Sequence, residues 1–131
     1  GVWTNIRKKQ LKEYEEVVML GPIWAGLLIA PLRTALKKCA KASKVVHFAL
    51  SCETSDEEKN DKYGYVGVLE EAKQVGGSRV KNTAAFPTAL VGGEKGVWSP
   101  KLSEKIKITK DNFAGLIQKR LLDFAATIRK G

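Results

Sequence analysis

The sequence predicts an α/β domain: a parallel sheet with helices on both faces, in a three-layer α/β/α arrangement. Two short apolar runs rich in β-branched residues, Glu16 to Leu20 and Lys44 to Ser51, are of the kind found where both faces of a strand are covered. Between them Leu28, Leu32, Ala35, Leu36 and Cys39 recur at helical spacing, while Arg33, Lys37, Lys38 and Lys41 fill the opposite face. Strand and helix patterns then alternate to the end of the chain, which calls for parallel strands joined by right-handed crossovers.

Each element has its own signal. Gly1 to Tyr14 reads as the approach to the first clear strand, with Val2-Trp3 at most the tail of an earlier one. After Glu16 to Leu20, a tight loop from Gly21 to Gly26 leads to a helix that Pro31 is placed to start. His47 falls in the middle of the next strand, where it reads as a hydrogen-bonded structural histidine rather than a general base. Ser51 to Tyr65 is polar and acidic and must be a loop. Tyr65, Val68, Leu69, Ala72 and Val75 mark a second helix that Gly76-Gly77 ends. A third strand is expected over Arg79 to Val91, interrupted by Pro87. Gly92 to Pro100 reads as a turn carrying Trp98, and Lys105 to Ile108 as a short strand or a helical turn. The last element is a helix with Phe113, Ile117, Leu121, Phe124 and Ile128 in one stripe and Asp111 as N-cap.

With 131 residues, 44% of them hydrophobic, residues 1–131 fit a single domain with a sizeable core. The formal charge of +9 favours an acidic partner, a nucleic acid or an anionic surface. Arg7, Lys8, Lys9, Lys119, Arg120, Arg129 and Lys130 are the candidates for nucleic-acid contact, but they are scattered over separate elements, which weighs against that reading. Cys39 and Cys52 are the only cysteines and His47 the only histidine, without metal-ligand spacing, so a metal site is not expected. The two cysteines read as buried free thiols of a reducing compartment, and a cytoplasmic location is expected. The uncharged run from Val17 to Leu32 is shorter than the roughly 18 to 20 residues a membrane span needs and is broken by Gly21, Pro22, Gly26 and Pro31. The polar stretch Gly1 to Glu16 gives no secretory signal.

In parallel sheets, ligands bind at the carboxyl ends of the strands. That rule puts the loops Pro22 to Gly26 and Ser51 to Gly64, together with the Thr88 to Gly93 region, on one rim. Trp24 offers a surface on which a flat ring can stack, and the second loop brings Tyr63 and Tyr65 in acidic surroundings.

Leu20-Gly21-Pro22-Ile23-Trp24-Ala25-Gly26 followed by Pro31-Leu32-Arg33 resembles the third strand, aromatic-bearing loop and helix start of the flavodoxin-like family. Val45 to Leu50 resembles its fourth strand, Ser51 to Tyr65 its second flavin-flanking loop, and Phe113 to Ile128 its final helix. The resemblance implies FMN as cofactor and electron transfer, or a small flavin-dependent oxidoreductase, as function. It places Trp24 against the isoalloxazine, with Pro22, Ile23, Ala25 and Gly26 presenting backbone to it and Ser51, Cys52, Glu53 and Thr54 approaching its other side. Glu53, Asp56, Glu57, Glu58 and Asp61 are then either charges that lower the flavin potential or a solvated loop.

The chain departs from the family pattern at its start, because nothing in Gly1 to Tyr14 matches the first strand, the Ser/Thr/Gly-rich phosphate loop and the first helix. In the family's strand order the missing strand pairs with the third. The Glu16 to Leu20 edge is therefore expected to be covered by a second copy of the chain or by a separate polypeptide. The basic charge would also suit docking of an acidic redox partner. The alternative function is a flavin-free member of the fold acting as an interaction or dimerisation module, with Trp24 as a core or interface residue.

Overall fold

The computed structural model describes residues 7–43, 45–91 and 108–130. The chain forms helix α1 (Lys8–Leu11), strand β1 (Glu16–Pro22), helix α2 (Ala30–Ala42), strand β2 (Val45–Cys52), helix α3 (Val66–Gly76), strand β3 (Val80–Pro87) and helix α4 (Leu116–Arg129). The three strands make one open sheet in the order β1-β2-β3, and both pairings are parallel. The expected α/β class and parallel sheet are therefore present.

The register explains which residues reach the core. Val17, Met19 and Gly21 stand beside Val46, Phe48 and Leu50 on one face. That face receives α2 and α3, and Leu36, Cys39, Val68 and Ala72 pack with Met19, Val46, Phe48 and Leu50 into the hydrophobic core. Phe48, Leu36, Leu50 and Val46 are fully buried, and burial of each such side chain contributes on the order of 1.5–3 kcal/mol. An ion pair between Arg33 and Glu71 ties α2 to α3 on the solvent side. Two successive right-handed crossovers running in one direction along the sheet put both helices on the same face. Only after β3 does the chain change sides: α4 lies on the opposite face, where Phe124 meets Phe86 edge to face at 6.1 Å. The opposite face is uncovered at β1, leaving Val18 and Leu20 55% and 67% exposed on a strand at the edge of the sheet.

Several boundaries differ from expectation. The first strand runs on to Pro22, because its ladder to β2 continues past Leu20. The third ends at Pro87, followed by a 3-10 turn over Thr88–Leu90. The approach to β1 contains the single helical turn of α1. The last helix is entered through Gly115, whose φ of 106° few other residues adopt, so Asp111 is not its N-cap. Leu121 leaves the expected stripe and is exposed, while Ile117 and Phe124 are buried. The expectations for Val2-Trp3, for Gly92 to Pro100 with Trp98 and for 105–107 lie outside the described residues. Among the described residues, no helix is long and apolar enough to cross a membrane.

Candidate functional site

At the carboxyl ends of β1 and β2 the loops that follow them diverge and leave a cleft of about 740 Å³. That volume is within the range of small-molecule sites, roughly 300–1,000 Å³. Pro22, Ile23, Trp24, Ala25 and Gly26 form one wall and Ser51, Cys52, Glu53 and Thr54 the other, so the structure brings all nine residues of the expected site together. Glu58, Asp61, Tyr63 and Thr88 complete the lining. The acidic character and Tyr63 were visible in the sequence, whereas the inward position of Glu58 and Asp61 depends on how the loop folds back.

The first wall is a reverse turn. Ala25 and Gly26 both have positive φ, 50° and 71°, and Trp24 and Leu27 exchange backbone hydrogen bonds across them. This is the pattern of a tight two-residue hairpin turn. Gly26 is required twice over, because a Cβ there would also lie 2.7 Å from the Lys62 carbonyl oxygen and 2.8 Å from Tyr63 Cα. The turn tip is thus pressed against the backbone of the acidic loop, closing one end of the cleft. Trp24 stands 78% exposed on this turn, and Leu27 and Tyr63 are exposed beside it.

The second wall is held by its own hydrogen bonds. Thr54 Oγ1 donates to the Tyr63 carbonyl at 2.9 Å, and Ser55 Oγ donates to Glu58 Oε2 at 3.4 Å. The Gly64 amide donates to the Asp61 carbonyl at 2.8 Å and the Val66 amide to the Lys59 carbonyl at 3.0 Å. Asp56 turns away from the cleft. It accepts two bonds from the Arg120 guanidinium, at 2.9 and 2.5 Å, and one from the Tyr65 hydroxyl at 2.5 Å. Arg120 also reaches the Ala85 carbonyl at 3.3 Å, so α4, β3 and the acidic loop meet at one fork. The guanidinium holds the Asp56 carboxyl below the usual aspartate range, with the Tyr65 bond acting in the same direction. Tyr65 is pushed up to about 12, by burial first and by the bond to Asp56 second. Asp56 and Tyr65 are accordingly structural, and Arg120 is engaged within the fold.

Cys52 lies at the floor, its thiol pushed up to about 12 by burial and by the Asp56 charge, and it donates to the Thr54 carbonyl at 3.5 Å. Cys39 is a second free, buried thiol in the core, as expected. Among the described residues no group of His, Cys, Asp and Glu could hold a metal ion. His47 is fully buried and its Nδ1 lies 3.0 Å from the Asn82 side-chain nitrogen, the hydrogen-bonded role expected of it. Its Nε2 lies 3.5 Å from Glu16 Oε1 and makes no hydrogen bond among the described residues.

Tested against FMN, the lining gives a divided answer. An exposed indole beside an apolar turn fits a flat ring system. The phosphate does not fit, because the described lining holds Glu53, Glu58 and Asp61, no Lys or Arg, and no residue of an α-helix. Comparison of the chain with family models, with curated proteins and with solved structures returns no match, so the α/β architecture and its cleft stand on the geometry of this chain.

Proposed function

We propose that the cleft binds the isoalloxazine ring of a flavin and that the chain is a flavodoxin-like electron-transfer protein or small flavin-dependent oxidoreductase. The observation that carries this reading is Trp24, held exposed on a turn fixed by Gly26, over a cleft at the carboxyl ends of two parallel strands. Trp24 would stack on the ring, the backbone of Pro22 to Gly26 would meet one edge, and Ser51 to Thr54 would approach the other. A bound flavin would supply the redox chemistry, and the chain would orient it and set the charge around it. FMN would then need phosphate contacts from outside the described lining. The β1 edge is where a second chain could bring them. Titration of the purified chain with a flavin, followed by quenching of the flavin's own fluorescence, tests the reading. Saturable quenching that is lost in Trp24→Ala supports it, and quenching unchanged by that substitution overturns it.

The flavin-free reading is favoured by a different observation, the exposed Val18 and Leu20 on the edge strand β1. It makes the chain an interaction or dimerisation module that uses this edge. Sedimentation of the chain alone separates the two readings: a dimer that dissociates in Leu20→Lys, with no flavin bound, is the module.

A further inference from the structure

We infer that the planar ligand selected by this chain's own cleft carries no phosphate and is neutral or cationic. The inference rests on the reading that the cleft takes a flat ring, and it assigns the charge that the rest of such a ligand must have.

The charge distribution carries it. The protein has 23 Lys and Arg against 14 Asp and Glu, yet the described lining of the cleft contains three carboxylate side chains and no basic one. In a strongly basic chain an acidic cleft is a local reversal, produced by the fold-back of one loop. Glu58 is set by the bond from Ser55, and the backbone turn from Asp61 to Gly64 places Asp61. Lys62, in the same turn, is directed elsewhere: its ammonium lies 5.3 Å from the centre of the Tyr63 ring. Asp56, the carboxylate of this loop that has a close cation, is the one that faces away from the cleft.

A phosphate tail carries roughly −1.5 to −2 charge near neutral pH, so it would meet like charge on entering. Close like charges disfavour binding, and the effect weakens as salt screens it. A positive group on the ring meets the opposite situation. It would lie near Glu58 and Asp61 while the ring covers Trp24, whose π face also attracts cations. Two features of the cleft, aromatic rim and acidic lining, thus select the same class of ligand.

The test uses the intact chain and three planar probes: riboflavin, FMN and the cationic acridine proflavine. Their binding is measured by fluorescence at about 0.02 M and about 0.3 M salt. The expected result is FMN weaker than riboflavin by about tenfold or more at low salt, proflavine at least as tight as riboflavin, and both differences shrinking at high salt. The double substitution Glu58→Gln with Asp61→Asn should leave riboflavin unchanged, which also shows that the cleft is intact, and should raise FMN towards it. FMN binding as tightly as riboflavin, or unaffected by the double substitution, overturns the inference and leaves the ring-binding reading standing. Failure of all three probes to bind removes the ring-binding reading and the inference with it.

Discussion

Replacing Gly26 with alanine separates two costs that the structure keeps distinct. The first is conformational: at φ +71° an L side chain is in the left-handed region, at roughly 1 kcal/mol or somewhat more. The second is steric, since the new methyl would sit 2.7 Å from the Lys62 carbonyl oxygen and 2.8 Å from Tyr63 Cα, both backbone atoms that cannot rotate away. Overpacking of this kind costs about 1–3 kcal/mol, so the total is about 2–4 kcal/mol. Gly77 supplies the control, because it has φ +61° at the end of α3 and open space around its missing Cβ. Gly77→Ala should therefore cost only the conformational part, about 1 kcal/mol. Both variants are compared with the parent by urea denaturation followed by far-ultraviolet circular dichroism. The Gly26 variant should also bind flavin more weakly, because the Trp24 turn must retreat from the acidic loop. If the two variants lose the same stability to within about 0.5 kcal/mol, the turn does not bear on residues 62–63 and the account of the cleft wall is refuted.

Three further outcomes follow from the same geometry. Arg120→Met should cost about 1–2 kcal/mol near neutral pH, between the values for exposed and buried pairs, because both partners are about one-third exposed. Since the folded state holds the Asp56 carboxyl below its ordinary value of about 3.9, this stabilisation is present above that value and is lost as pH falls through the lowered one. The gap between parent and variant in urea should therefore close on acidification, and a gap independent of pH would contradict the pairing. Cys39 and Cys52, both buried and with raised thiols, should be inert to a thiol reagent near pH 8 and react once urea unfolds the chain. Phe48→Ala, at a fully buried position, should cost about 3–5 kcal/mol by thermal or urea unfolding, while Val18→Ala on the exposed side of β1 should cost less than about 1 kcal/mol.

The sheet was legible because its strands are buried in a way that composition records. Val45 to Cys52 is covered on both faces, so it reads as an unbroken apolar run, and β1 and the α2 stripe flank it. The cleft was legible through a rule of topology, which places ligands where parallel strands end, and through Trp24 standing in a Gly-rich turn. What stayed hidden was decided by long-range pairing. Arg120 looks like a surface cation on a helix, yet it faces inward because Asp56, 64 positions earlier in the chain, is waiting for it. A hydrophobic period cannot register a charged residue in an inward position, so Leu121 was assigned to the core in its place. The start of α4 was misread for a related reason. Asp111 has the right chemistry for a cap, but Gly115 provides a backbone conformation that no side-chain pattern announces.

The fork at Arg120 has a further implication when considered as an equilibrium. Asp56 belongs to the same loop as Glu58, Asp61 and Tyr63, so one wall of the cleft is fastened to the last helix of the chain. Occupancy of the cleft and docking of α4 then form a reciprocal pair: a ligand that favours the closed loop tightens the helix by the same free energy with which the docked helix tightens the ligand. The backbone amides of Leu116–Arg129, none of which lines the cleft, would report that free energy as slower hydrogen exchange when the cleft is filled.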